Sequence, residues 1–163
     1  MKKPVRVKPP QPRTFAEFCK LFAEAPIPHA VRIGPRWFHD PEGLIAAARA
    51  NGWEPFSGGV YLGEERGHFR PTSALITMLA AYGGPRVEVD DRAAWLYLCG
   101  RDILMEGATN GTEYPAGKLV FIVDFKARVL GYGMVFNAHD SKRKSSVFIK
   151  HLLDLGEYLR RER

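Results

Sequence analysis

The chain predicts an α/β (α+β) protein in two parts, a helix-bearing α/β domain to about residue 90 followed by a small β-barrel. Two observations predict this. Apolar residues recur at helical spacing in three segments ahead of Gly83, and after it glycine-punctuated, β-forming runs take over at 117–123 and 129–136. Size agrees, because 163 residues with 45% hydrophobic and 26% charged content suit one large or two small folded domains.

Residues 1–13 carry four prolines and five basic side chains, which predicts an extended basic tail. Thr14-Phe15-Ala16-Glu17 matches a capping box, where the threonine oxygen and the glutamate satisfy each other's backbone donors. Phe15, Phe18, Cys19 and Phe22 then give one apolar helix face that ends before Pro26. His29 to Ile33 alternates as a short strand. Asp40-Pro41 reads as N-cap and first residue of a second helix, continued by Leu44, Ile45, Ala47 and Ala48 to the stop at Asn51-Gly52. Phe56 to Gly63 reads as a strand with a glycine bulge. Thr72 or Ser73 caps a third helix, through Met78 to Tyr82, stopped by Gly83-Gly84-Pro85. A hairpin is expected next: Arg86 to Val89, a turn at Asp90-Asp91-Arg92, and Ala93 to Cys99. The domain boundary is placed at that turn. Gly117–Val123 and Val129–Phe136 are strands joined through Asp124-Phe125-Lys126-Ala127-Arg128, and 147–155 fits a helix as well as a strand.

Several classes of chemistry find no support. No apolar run approaches the roughly 20 residues of a membrane helix, and Met1-Lys2-Lys3-Pro4 lacks the apolar stretch of a signal peptide, so a cytoplasmic protein is expected. Cys19 and Cys99 stand far apart and read as reduced, buried thiols. The five histidines show no metal-binding spacing. Glu64-Glu65 and Asp90-Asp91 are adjacent rather than convergent, and Ser57 lacks the flanks of a nucleophile elbow. Gly131-Tyr132-Gly133 lacks the third glycine of a dinucleotide fingerprint and reads as a strand kink, while Gly58-Gly59 lacks the Lys-Ser/Thr of a phosphate loop. Neither catalysis nor a cofactor nor a metal is expected.

The charge is more informative. Residues 1–20 have a net charge of +5 and residues 142–163 of +4, while 21–141 have −3, for +6 overall. Charge gathered at two ends of a mildly acidic body is the footprint of phosphate-backbone binding, and at the C-terminus it interleaves with apolar residues as a folded surface would. Tyr97, Phe121, Phe136 and Tyr158 are aromatics at strand periodicity, read as core in preference to base-stacking groups. Asn and Gln number four in all, which hints at a heat-adapted source.

Three stretches, taken in order and spacing, resemble a PUA domain, a small barrel that binds structured RNA. They are Trp95-Leu96-Tyr97-Leu98-Cys99-Gly100-Arg101-Asp102, Val129-Leu130-Gly131-Tyr132-Gly133, and Phe148-Ile149-Lys150-His151 through Arg160. The closing Asp154-Leu155-Gly156-Glu157-Tyr158-Leu159-Arg160 is similar to the C-terminus of the Nip-seven family, large-subunit ribosome-biogenesis factors of archaea and eukaryotes. Pro55-Phe56-Ser57 through Gly63 resembles a strand of that family's pre-PUA half, and Ala93 to Arg101 its apolar strand ending in Gly-Arg/Lys-Asp. The resemblance implies a basic tail (1–13), a pre-PUA α/β domain (14–90) and a PUA domain (91–163). It implies a monomeric, non-catalytic factor that binds pre-rRNA and pairs with an rRNA cytosine-C5 methyltransferase or other pre-ribosomal proteins. Lys142, Arg143, Lys144, Lys150, His151, Arg160 and Arg161 form the expected RNA-binding set. Archaeal members of the family place arginines where this chain has Ser145-Ser146-Val147, so the basic cluster is displaced to 142–144; Leu153 stands where a lysine is frequent. Two other readings are an accessory subunit of a tRNA-modifying, archaeosine-transglycosylase-like enzyme and an integral ribosomal protein.

Overall fold

A computed structural model describes residues 8–23, 26–136, 145–157 and 160. The chain divides into two compact units, Gln11–Gly83 and a second that begins at Gly84 and also takes in the described residues ahead of Gln11; the sequence reading puts the boundary a few residues later, at the turn near residue 90.

The N-terminal unit runs α1 (Phe15–Lys20), β1 (Ala30–Ile33), β2 (Arg36–His39), α2 (Leu44–Ala50), β3 (Val60–Arg66), β4 (His68–Pro71) and α3 (Ser73–Ala81). Its four strands form an antiparallel sheet in sequential order, with a register shift between Trp37 and Phe38. Half of the expected capping box forms at α1: Thr14 Oγ1 accepts from Glu17 N, while the Glu17 carboxylate accepts from Arg13 N, one residue ahead of the N-cap. Phe15 stacks on Trp37 (4.4 Å) and, with Phe18, packs against Phe69, which builds an aromatic core over the sheet. α3 is capped by Thr72 and buries Leu75, Ile76, Leu79 and Ala80.

Two expectations in this unit shift by a few residues. α2 begins at Leu44 with Gly43 at its N-cap rather than at Pro41. Asp40 still does the capping chemistry, from one turn further back: its buried carboxylate accepts from Leu44 N (3.0 Å) and Ile45 N (2.8 Å). β3 begins at Val60, not Phe56, and residues 52–59 form a loop.

The C-terminal unit runs β5 (Arg86–Glu88), α4 (Asp91–Leu98), β6 (Ile103–Leu104), a short 3-10 turn at Met105–Gly107, β7 (Leu119–Val123), β8 (Val129–Val135) and β9 (Val147–Asp154). The sheet order is β5-β7-β8-β9-β6. The segment that follows β6 curls back to the β5 edge: Asp90 N donates to Gly107 O (3.0 Å), Thr109 N donates to Glu88 O (2.8 Å), and Val89 bridges Ala108. The result is a small, curled, barrel-like sheet around Val87, Tyr97, Ile103, Val120, Ile122, Phe148 and Ile149. The fold is thus an α/β domain followed by a small β-barrel, the two-part arrangement the sequence predicts.

The expected strand over Ala93–Cys99 is a helix. Its aromatic and apolar content suggested β-structure, but Asp90 Oδ1 accepts from Ala93 N (2.7 Å) and starts a helical turn. Ala93, Ala94 and Tyr97 then fall on one buried face at helical spacing, which a strand could not achieve. No helix among the described residues is long and apolar enough to cross a membrane.

Candidate nucleic-acid interface

The site is built where α4 meets the end of β9. α4 stops at Gly100, whose N–H bonds to Tyr97 O (2.8 Å) while Arg101 N bonds to Leu96 O (3.0 Å), the paired bonds of a Schellman stop. One helix-end carbonyl, Leu98 O, is taken by Arg160 Nη1. The same guanidinium grips Asp154 with both Nη atoms (2.9 and 2.6 Å). Asp154, 1% exposed, also accepts from His151 Nε2 (2.5 Å) and Gly156 N (2.7 Å). Burial alone would push this carboxyl up; the hydrogen bonds from Arg160 and His151, with their charges, hold it below its ordinary value.

Asp102, just past the helix stop, binds the next part of β9. It accepts from Lys150 Nζ (2.5 Å) and from His151 N (2.9 Å), and Lys150 also lies 5.5 Å over the Phe136 ring. Tyr97 sends its hydroxyl from the helix to Tyr132 O (2.7 Å) and Leu153 O (2.8 Å), where the β8–β9 register shifts. The one hydroxyl proton is shared between the two carbonyls across the register shift. Burial first, then the Asp154 charge, raises the Tyr97 pKa far above its usual value, so it stays a neutral donor. Gly131 sits here at φ +154°, where a Cβ would stand 2.0 Å from Leu153 O. The Gly131-Tyr132-Gly133 kink is therefore a demand of the barrel's close strand approach, in line with the sequence reading.

Outside this network a cavity of about 780 Å³ opens, walled by Trp95, Leu98, Leu130 and Leu155, with Cys99 and Arg160 among its lining. Trp95 is 68% exposed. An open apolar hollow with an indole and a guanidinium suits a flat aromatic ligand such as a nucleobase. Arg92 and Arg101, both exposed, make no ion pair among the described residues, so their charge faces solvent.

Of the expected RNA-binding set, Lys142, Arg143, Lys144 and Arg161 lie outside the described residues. Lys150, His151 and Arg160 are brought together, but each points into a carboxylate: Lys150 to Asp102, the other two to Asp154. Tyr97 and Phe121 are fully buried, as read from the sequence, whereas Tyr158 lies outside the described residues. Cys99 departs from expectation. It is exposed, and only Cys19 is buried, its thiol pushed up to about 12 by burial. Trp95 was missed as a site residue because the segment was read as a strand. The signal that marks it is Asp90 as an N-cap, which turns 91–98 into an amphipathic helix with Trp95 on the outer side.

The C-terminal unit, a small barrel-like sheet with α4 packed against it, is similar over most of its length to PUA domains. More particularly, residues 86–163 match the family model of the UPF0113 PUA domain. A UPF0113 protein of Archaeoglobus fulgidus is 31% identical over 112 residues, covering 67% of this chain and 64% of that protein. The chain thus spans somewhat less than two thirds of the length of this curated relative. Among solved structures, a conserved PUA domain protein from Thermoplasma acidophilum is 21% identical, with 66% of this chain and 72% of that chain covered at a TM-score of 0.49. A hypothetical protein from Pyrococcus horikoshii OT3 is 20% identical, with 58% and 65% covered at a TM-score of 0.46.

Proposed function

We propose that this protein is a non-catalytic RNA-binding factor of large ribosomal subunit biogenesis, which holds pre-rRNA on its PUA domain and assists rRNA processing or modification. The observation that carries this reading is the match of residues 86–163 to the UPF0113 PUA domain model. The ribosomal assignment rests on the Asp154–Arg160 ending described above. RNA contacts the face that bears Trp95, Arg92 and Arg101, and the Lys142-Arg143-Lys144 cluster adds phosphate contacts. Lys150, His151 and Arg160 act one step back, holding β9 and the helix end that present this face. The protein works in the cytoplasm of an archaeal cell, with an rRNA cytosine-C5 methyltransferase or pre-ribosomal proteins as partners.

Crosslinking the protein to RNA in its own cells, followed by sequencing of the bound fragments, tests this. Large-subunit rRNA and its precursors are the expected yield. Predominant tRNA fragments would instead support the transglycosylase-like accessory subunit, and recovery in mature ribosomes alone would mark an integral ribosomal protein.

A further inference from the structure

The loop 52–59 of the N-terminal unit exposes two aromatic rings. Trp53 and Phe56 are each 75% exposed, the most exposed large hydrophobic side chains among the described residues, while Phe15, Phe18, Phe38 and Phe69 of the same unit are buried. Large rings left in water at this extent normally serve a partner. The loop is also firmly seated. Trp53 N donates to Ala48 O (3.0 Å) at the end of α2. Gly59, at φ +68°, passes so close to β2 that a Cβ would stand 2.1 Å from His39 O, and a Cβ on Gly58 would stand 2.6 Å from Ile45. Both rings therefore project from a loop anchored on either side.

The charges around the loop show what kind of partner fits. Glu54 is paired with Arg49 (2.8 Å), Glu65 with Arg32 (3.3 Å), and Glu64 with Arg66 (3.1 Å). Arg36 stands opposite Glu64 in the sheet register yet makes no ion pair among the described residues. Its guanidinium instead lies 4.2 Å from the centroid of the Phe56 ring. A cation on one face of an exposed ring leaves the other face for a stacking partner and keeps donors for an anion beside it. Aromatic faces next to an uncompensated arginine are the combination that holds single-stranded nucleic acid, bases on the rings and phosphates on the cation.

We propose that Trp53, Phe56 and Arg36 form a stacking platform for single-stranded RNA on the N-terminal unit, a contact separate from the PUA face. It presupposes the RNA-binding role given above. Residues 11–83 hold seven Lys/Arg and seven Asp/Glu, so this unit adds affinity through stacking and not through net charge. Its signature is a loss of affinity that leaves the salt dependence nearly unchanged.

The test uses the full chain and a fluorescent, thiouridine-substituted, single-stranded oligoribonucleotide, with a fully paired hairpin as the control. Trp53→Ala/Phe56→Ala should weaken binding of the single strand by about tenfold or more, since each stacked base contributes on that order. Hairpin binding and the melting temperature should not change, because both rings are exposed. Irradiation of the wild type should crosslink the loop at Trp53 or Phe56. Unchanged single-strand affinity together with crosslinks confined to residues 84–163 would overturn the platform and leave the PUA reading standing. Failure of the wild type to bind either RNA would overturn the PUA reading, and the platform with it. If the double variant kept its RNA affinity but lost a co-purifying protein, the rings would be a protein-docking surface and the proposal would fall.

Discussion

Arg160, in the C-terminal unit, and Arg36, in the N-terminal unit, carry the same charge and offer it differently. Arg160 spends its Nη donors on the buried Asp154 carboxylate and on the last carbonyl of α4. Arg36 makes no ion pair among the described residues and sits over an exposed phenyl ring. Clustering of cations in a sequence therefore measures charge, not its availability to a ligand. Part of the basic C-terminus is internal wiring, while an arginine from the charge-balanced unit is left open.

The sharpest way to break the comparison is to disturb the seam that Arg160 serves. Gly131→Ala puts a methyl against Leu153 O in a backbone conformation that L residues rarely adopt, and should cost about 4 kcal/mol in urea denaturation. Asp154→Ala strands Arg160 and His151 without their acceptor. Allowing for solvent at the 37% exposed Arg160 side chain, the loss should be about 3 kcal/mol. Arg36→Ala, by contrast, should cost no more than about 0.5 kcal/mol. Equal losses at the two sites would erase the distinction between wiring and offered charge. Tyr97→Phe removes the donor shared by two buried carbonyls and should cost about 1–2 kcal/mol.

Acid titration sharpens the same point. The Asp154 pKa is lowered in the folded protein, so its stabilisation is full above the ordinary value of 3.8 and fades as pH falls below it. Asp154→Asn should flatten stability across that window, with a remainder from Asp124, whose carboxyl is also held low because the Arg128 and Lys126 hydrogen bonds outweigh its burial. The smallest stability effect belongs to Lys142→Ala/Arg143→Ala/Lys144→Ala, within about 0.5 kcal/mol. Its consequence is for RNA: each lost phosphate contact should flatten the log-affinity against log-salt slope by about 0.7–0.9. An unchanged slope would show those cations to be solvated bystanders.

The sequence was most legible where local chemistry decides the structure. Thr14-x-x-Glu17, Thr72, the Gly83-Gly84-Pro85 stop and the β-forming runs of β7 and β8 each mark their element through caps, breakers or periodicity. β9 is ambiguous by its own pattern, and its strand form is set by the antiparallel pairing with β8 and β6. Ala93–Cys99 was misread because its aromatic content fits a strand, and only the side chain of Asp90 shows that a helix begins there. In the site, residue types near β9 were legible but their partners were not. Asp154 and Lys150 are four residues apart, yet they face different partners, Arg160 and Asp102, because the barrel brings the α4–β6 loop alongside one part of β9 and the C-terminus against the other.

The two cysteines give the molecule an unplanned chemical asymmetry. Cys19 is sealed in the N-terminal core with its thiol raised to about 12, whereas Cys99 is exposed and lines the hollow beside Trp95. A maleimide dye or nitroxide will therefore attach at one native position of the unaltered chain. That position borders the surface assigned to RNA, so the label becomes a gauge of occupancy that needs no engineered residue.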